Sequence, residues 1–370
     1  MPPTVDMIVF SHLRWSWVYQ RPQHLMTRAA QSRRVFFVEE PICTSVAPHL
    51  HMYVADAGVI VVTPYLPAGL SSEFERDLLR GLLAELVEIE KIDEVVLWYF
   101  TPSAMPFTVD LAAASVVYDC MDELTGFAGA SPALRHYERQ LLARSDIVFT
   151  GGWSLYEAKR GLHANVHAMP SGVDLEHFRR ARGRDGEQAS REGARRPRIG
   201  YSGVLDERLD LELLHATIAD HPEWQFVFAG PVTKIDPATL PTCENVTYLG
   251  QVAYDQLPAV LATWDIAWIP FSRNEATRFI SPTKTPEYLA AGLRVLSTPI
   301  QDVVRTWGDD DAVTIVSTPE ECGDAIRQSA AAPLTPAQLR RIDETLVHHS
   351  WDATWNRMAE LMQQASSNVA

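Results

Sequence analysis

The feature that most constrains the fold is an alternation that runs through the chain twice. Short apolar runs bounded by polar turns alternate with longer stretches whose apolar residues recur at helical spacing. In the first half, Met7–Phe10, Val35–Val38, Gly58–Thr63, Val95–Tyr99, Ser115–Tyr118 and Ile147–Thr150 read as strands. Arg21–Gln31, Ser71–Ile89 and Ala133–Arg144 read as the helices between them. Strands separated by helices cannot pair as hairpins and imply βαβ units with a parallel sheet.

Near Phe178 the character changes. Arg179–Arg198 has almost no apolar content and reads as a solvated, charged linker. A second series follows. Arg198–Tyr201, Gln225–Ala229, Val246–Leu249, Ile266–Pro270 and Val295–Ser297 read as strands, and Leu209–Ala219, Tyr254–Ala262 and Pro286–Ala291 as helices. Ser350–Gln364 is a closing helix with Ser350 as its N-cap, and Trp351, Trp355, Met358 and Met362 form its core-facing stripe. The expected organisation is a domain over 1–178, a linker over 179–197, a domain over 198–349, and a helix over about 350–370 returning to the first domain. Both domains are expected to be doubly wound, Rossmann-like α/β units facing a central cleft. Ligands bind such sheets beyond the carboxyl ends of the strands.

At 370 residues the chain suits two ordinary domains. A net charge of −15 argues against nucleic acid as a partner. Cys43, Cys120, Cys243 and Cys322 lack paired spacing, which points to neither zinc nor a disulfide framework and fits a reducing cytosol. His163 and His167 lie four apart, but Asn165 and the strand-like run around them argue against a zinc pair. No signal peptide is visible, and no apolar run approaches membrane-spanning length. The expectation is a cytoplasmic protein with at most peripheral membrane contact. Oligomeric state is not readable.

Ser281–Thr298, SPTKTPEYLAAGLRVLST, carries the chemistry. Thr285 is the expected N-cap and Pro286 the first helical residue. A helix starting there aims free N–H groups and its positive dipole end at Ser281–Lys284. Lys284 adds a cation, and Ser281 and Thr283 add hydroxyls. Glu287, in the first turn, is either a dipole-stabilising residue or a carboxylate available to a diol.

This stretch resembles the donor-binding signature of glycosyltransferases of the two-domain GT-B fold, family 4-like. The resemblance implies that Glu287 holds the ribose hydroxyls of a nucleotide sugar and Lys284 its diphosphate. Arg294 stands where the family has a proline. Phe279 stands where many members carry a glutamate that touches the sugar, which makes Glu275 and Arg278 the candidates for that contact. Gly200–Arg208 is similar to the family's phosphate loop. There Gly203 admits the backbone to the phosphates. Arg208 is either an exposed charge or a second cation for the departing diphosphate. Gly230, Gly250 and Val252 close neighbouring strands, as ordinary turns or as the cradle of the base.

The first loop, Ser11–His24, is aromatic and basic where the family is Gly-rich. His12, Arg14, Trp15, Trp17 and Arg21 are the candidate acceptor contacts, although alternating aromatics also fit a buried strand extension. Asp119 and Asp122, with Glu123, follow a strand and serve either to orient an acceptor hydroxyl or as caps and solvated acids. The resemblance implies retaining, metal-independent transfer from a UDP- or GDP-sugar to a glycan, lipid-linked or small-molecule acceptor, with no further cofactor, in cell-envelope or exopolysaccharide synthesis. The alternatives are a UDP-sugar 2-epimerase of the same fold and a non-catalytic nucleotide-sugar-binding subunit.

Overall fold

The computed structural model describes residues 5–127, 129–184 and 196–367. The chain forms two compact units, 1–170 with 354–370, and 171–353.

The first unit is built on one sheet of strands β1 (Asp6–Phe10), β2 (Val35–Val38), β3 (Ile42–Thr44), β4 (His49–Val54), β5 (Ile60–Pro67), β6 (Val95–Tyr99), β7 (Ser115–Cys120), β8 (Ile147–Thr150) and β9 (Val166–Ala168). Their order is β3-β5-β2-β1-β6-β7-β8-β9, with β4 antiparallel on β5 and every other pair parallel. The central strands β1, β2, β6 and β8 are buried on both faces, which is why they read as unbroken apolar runs. Strand β4 was not expected. Its residues are mostly exposed, so the sequence carries no apolar period there.

The second unit has a six-stranded parallel sheet: β10 (Arg198–Ser202), β11 (Gln225–Ala229), β12 (Val246–Gly250), β13 (Ile266–Ile269), β14 (Arg294–Ser297) and β15 (Val313–Ile315), in the order β12-β11-β10-β13-β14-β15. The order reverses between β10 and β13, so the loops after these strands border the switch point. Helices Gln301–Trp307, Pro319–Ala331 and Pro336–Val347 fill a region the sequence reading left blank.

The expected boundary at Phe178 falls instead after Pro170. Helix Leu175–Arg179 buries Leu175 and Phe178 in the core of the second unit. Arg179 and Arg182, expected in a solvated linker, both pair with Asp343 at 2.9 Å. Most of that expected linker, 185–195, lies outside the described residues. In the closing helix, Trp351–Ser367, the Ser350 hydroxyl accepts from the Ala353 N–H, and Met358, Leu361 and Met362 are buried in the first unit along with Trp98, whose ring lies 6.1 Å from that of Trp355.

One buried ion pair ties the first unit together. Arg21 opens helix Arg21–Ala29, and its guanidinium grips Asp119 of β7 through Nε (3.0 Å to Oδ2) and Nη2 (2.9 Å to Oδ1), while Nη1 donates to the Met169 carbonyl. Arg21 is 1% exposed and Asp119 0%. Burial raises the Asp119 carboxyl from its ordinary value and Arg21 pulls it back. Both residues entered as site candidates, Arg21 for acceptor and Asp119 for catalysis. The structure instead gives each to the other, because a withdrawn charge is tolerable only when paired. Asp119→Ala therefore costs about 3–5 kcal/mol in urea unfolding, and Arg21→Met/Asp119→Leu recovers most of it. A loss under about 1 kcal/mol for the single variant contradicts the pairing.

Candidate functional site

The donor-site candidates of the second unit converge at the carboxyl ends of β10, β11 and β12. The helix that faces them is Lys284–Ala290, starting two residues before the expected point, with Thr283 in the N-cap position. Pro286 still fits, because the first-turn N–H groups have no intrahelical partner to lose. Thr285, the expected cap, is instead inside the helix and fully buried. The helix stops as the sequence implies. Gly292 N–H donates to the Leu289 carbonyl and Leu293 N–H to that of Tyr288, a Schellman ending that turns the chain into β14.

Lys284 and Tyr288, four residues apart, share the helix face over β10. Tyr288 Oη accepts from the Ser202 N–H at 2.8 Å and lies 3.2 Å from the Ser202 hydroxyl. Lys284 lies over the next residue. A Cβ at position 203 would meet Lys284 Cε at 2.4 Å, and Gly203 holds φ at +143°. Gly203 N–H then donates to the Ala229 carbonyl at 2.8 Å and Gly230 N–H to the Gly250 carbonyl at 2.7 Å. At Gly230 a Cβ would sit 1.9 Å from the Gly203 carbonyl oxygen. The close approach leaves no place for a side chain at Gly230, while Gly250 is held at φ +67° with open space around it. Gly203, Gly230 and Gly250 thus form one layer, and Val252 lies half-buried just beyond it.

Two cations border that layer. Arg208 is fixed by Asp206, Nε to Oδ1 at 2.8 Å and Nη2 to Oδ2 at 2.7 Å. Its Cζ lies 5.7 Å from the Phe271 ring centre, and Lys284 Nζ lies 5.9 Å from the same centre and 5.5 Å from that of Tyr201. The two positive groups thus flank buried Phe271. The loop bearing Arg208 is held by the Ser272 N–H, which donates to the Arg208 carbonyl at 2.8 Å, and by Asn274 Nδ2, which donates to the Glu207 carbonyl at 3.4 Å. Glu275 and Arg278 sit on the exposed part of that turn, 3.7 Å apart, with Arg278 stacked over Phe279 at 5.0 Å. Ser281 is half-buried where this turn leads into the helix.

Glu287 lies one turn into the helix. Burial pushes its carboxyl from 4.5 up to about 7, against the pull of Lys284 and a hydrogen bond from Thr283. Sequence reasoning missed Asp206, Tyr288, Ser272 and Asn274. The spacing of Tyr288 from Lys284 was the available signal for one of them; the others act through turns that have no period.

In the first unit the acceptor candidates are dispersed. Arg14 Nη1 pairs with Glu39 at 3.0 Å, and the Trp15 N–H donates to the same carboxylate at 2.7 Å. Trp15 stacks edge-on against Phe37 at 5.0 Å. Arg14 and Trp15 therefore fasten the first loop to β2 rather than reach for a ligand. His12 is half-buried and Trp17 is 42% exposed. Glu123 is taken by Lys159 at 2.7 Å, which also pairs with Glu138 at 2.6 Å. Asp122 is half-buried in the turn after β7. His163 Nε2 bonds the Ser145 carbonyl and His167 Nε2 the Asn165 side-chain oxygen.

Residues 207–363 match the family model described as glycosyl transferase-like. A putative teichuronic acid biosynthesis glycosyltransferase, TuaH of Bacillus subtilis (strain 168), is 26% identical over 242 residues, a match that spans 61% of this chain and 61% of that relative. Sucrose-phosphate synthase from Thermosynechococcus elongatus superposes with a TM-score of 0.73 at 15% identity, covering 99% of this chain and 100% of that one. HepE of Anabaena, in complex with UDP and glucose, gives 0.67 at 12% identity, covering 98% and 100%. Two parallel-sheet α/β units and these likenesses define the GT-B fold. Within that fold, residues 207–363 carry the likeness to the glycosyl transferase-like family.

The Glu287 carboxyl holds its proton more tightly folded than unfolded. Stability therefore falls as pH rises from 4.5 to about 7 and stays reduced above that. Glu287→Gln removes the charge, so the variant gains on the native protein between pH about 5 and about 8 in urea unfolding. A gain that is the same at both pH values contradicts the raised carboxyl.

Proposed function

We propose that this protein transfers a sugar from a UDP- or GDP-sugar to a hydroxyl of a glycan, lipid-linked or small-molecule acceptor, with retention and without a metal ion. One observation carries the reading. Lys284 covers Gly203, shares the Phe271 ring with Arg208 and pulls on the Glu287 carboxyl, a grouping of two cations and a carboxyl suited to a diphosphate and a ribose diol. The glycine layer carries no side chain that would keep the phosphates from Lys284. Glu287, as carboxylate, accepts from both ribose hydroxyls. The name of the Bacillus relative and the UDP and glucose in the Anabaena structure support a nucleotide-sugar donor and a role in cell-envelope or exopolysaccharide synthesis.

In the proposed reaction the bond from the anomeric carbon to the diphosphate oxygen breaks. The acceptor oxygen bonds to that carbon on the same face, and the acceptor proton passes to the leaving phosphate. Lys284 and Arg208 stabilise the charge that gathers on the diphosphate. Asp206 keeps Arg208 in place, so the cation is oriented before the donor arrives. Asp122 is the carboxylate proposed to orient the acceptor hydroxyl. Among the described residues, no helix is long and apolar enough to cross a membrane, and the cytoplasmic, peripherally membrane-associated setting remains part of this proposal.

The test is turnover of UDP-glucose and GDP-mannose, with and without acceptor. Lys284→Ala lowers kcat by about 100-fold or more for the preferred donor, with a smaller change in KM. Undiminished turnover, or a free 2-epimer formed without acceptor, contradicts the proposal.

A further inference from the structure

Helix Leu175–Arg179 leads into Arg180, Ala181 and Arg182, the start of the arginine-rich stretch for which the transfer chemistry has no use. Arg182 turns toward the second unit. Its side chain is 18% exposed, against 32% for Arg179.

Its guanidinium holds two elements at once. Nη1 and Nη2 donate to the two carboxylate oxygens of Asp343, at 3.0 and 2.9 Å, in the planar fork that distinguishes arginine from lysine. Nη2 also donates to the Leu289 carbonyl at 3.2 Å. Asp343 belongs to helix Pro336–Val347 and Leu289 to the last turn of helix Lys284–Ala290. Arg182 therefore ties the carboxyl end of the candidate donor-site helix to a longer neighbour.

The short helix needs that tie. It has seven residues, too few to keep its shape without tertiary support. Its last carbonyls lack intrahelical partners, and a cation beside them also suits the negative end of the helix dipole. The exit is fitted to Arg182. Gly292 holds φ at +82°, and a Cβ there would meet Arg182 Cγ at 3.2 Å. Tyr288 already fastens the helix to Ser202 at 2.8 Å, but a rod held at one point can still tilt about it. The Leu289 contact supplies the second point. Lys284 stands about 7.5 Å along the axis from Leu289, so a tilt at the carboxyl end carries to the ammonium.

Asp343 is shared. Arg179 Nη2 reaches it at 2.9 Å, while the other partner of Arg179, Glu176, lies on its own helix. Burial works to raise the Asp343 carboxyl, but the hydrogen bonds from Arg182 and Arg179 outweigh it and hold the group below its ordinary value. Asp343 thus stays charged as the anchor of Arg182.

We propose that Arg182 is a positioning residue for nucleotide binding: anchored on Asp343, it holds the carboxyl end of helix Lys284–Ala290 so that Lys284 meets the diphosphate and Glu287 the ribose. The role in binding rests on the glycosyl-transfer reading, while the clamp on the helix stands apart from it.

Calorimetric titration of the full chain with UDP and GDP, with amide hydrogen exchange followed in the absence of nucleotide, tests it. Arg182→Met weakens binding of the preferred nucleotide at least about tenfold. Arg182→Lys keeps the charge, loses the fork and falls between. Arg179→Met, which touches Asp343 but not the donor-site helix, changes binding less than about threefold. In a Lys284→Ala background the loss from Arg182→Met shrinks to less than about threefold, since the cation it positions is gone. General destabilisation would instead give the same factor in both backgrounds. Without nucleotide, the amides of Ala291, Gly292 and Leu293 exchange at least about tenfold faster in Arg182→Met, while those of β10 and β11 keep their native rates. Native binding by Arg182→Met, an equal loss in both backgrounds, or unchanged exchange at Ala291–Leu293 overturns the proposal. If the native chain binds neither nucleotide, the transfer reading and the binding role fall together, and hydrogen exchange alone decides the clamp.

Discussion

The candidate donor site depends on how one short helix is fastened to one strand end. Tyr288 reaches from helix Lys284–Ala290 to the backbone and hydroxyl of Ser202, and this contact fixes where Lys284 and Glu287 can lie. Lys284 then covers Gly203, and the rest of the layer follows from that close approach. The Gly203 N–H meets the Ala229 carbonyl, the Gly230 N–H meets that of Gly250, a side chain at 230 would strike the Gly203 backbone, and one at 203 would displace Lys284. The cation, the carboxylate and the exposed backbone of the strand ends are positioned by the same contact. It is buried, so water does not compete for it.

The two charged groups that the helix brings into the site are not independent. Glu287 titrates near 7 because burial costs its charged form more than Lys284 returns. A carboxyl poised there is costly while the site is empty, and it gains partners when a diol supplies two hydroxyl donors. Arg208 shows the opposite arrangement. Its partner Asp206 is two residues away and grips it through two nitrogens, so its position is settled locally. The same division appears in the first unit, where Arg21 and Asp119 are spent on each other across 98 residues of chain and stay out of reach of a ligand.

Much of the fold was legible because buried parallel strands leave an unmistakable trace. Met7–Phe10, Val35–Val38 and Val95–Tyr99 are built of aliphatic and aromatic residues and Ile147–Thr150 departs from this only at Thr150, and each emerged as a strand with its expected bounds or within a residue of them. Strand β4 left no such trace because its side chains are mostly exposed. In the candidate donor site, Lys284, Glu287, Gly203 and Arg208 stand out in the sequence as chemical types suited to a diphosphate and a diol. Their support was not readable, since Asp206, Ser272 and Asn274 act through turns without period. The acceptor candidates were the weakest part. Arg14 and Arg21 were chosen as cations near strand ends, yet sequence alone does not show that Glu39 and Asp119 lie within bonding distance of them. A conspicuous charge is as often half of an ion pair as part of a binding site, and only the fold tells which.

Hydrogen–deuterium exchange on the full chain, with and without saturating UDP or GDP, tests the central claim most directly. Protection is expected at Gly203–Arg208, the loops after β11 and β12, and Ser281–Gly292 alone, with the first-unit sheet unchanged by nucleotide. Nucleotide binding that protects the first-unit sheet instead, or that leaves Ser281–Gly292 unprotected, contradicts that claim.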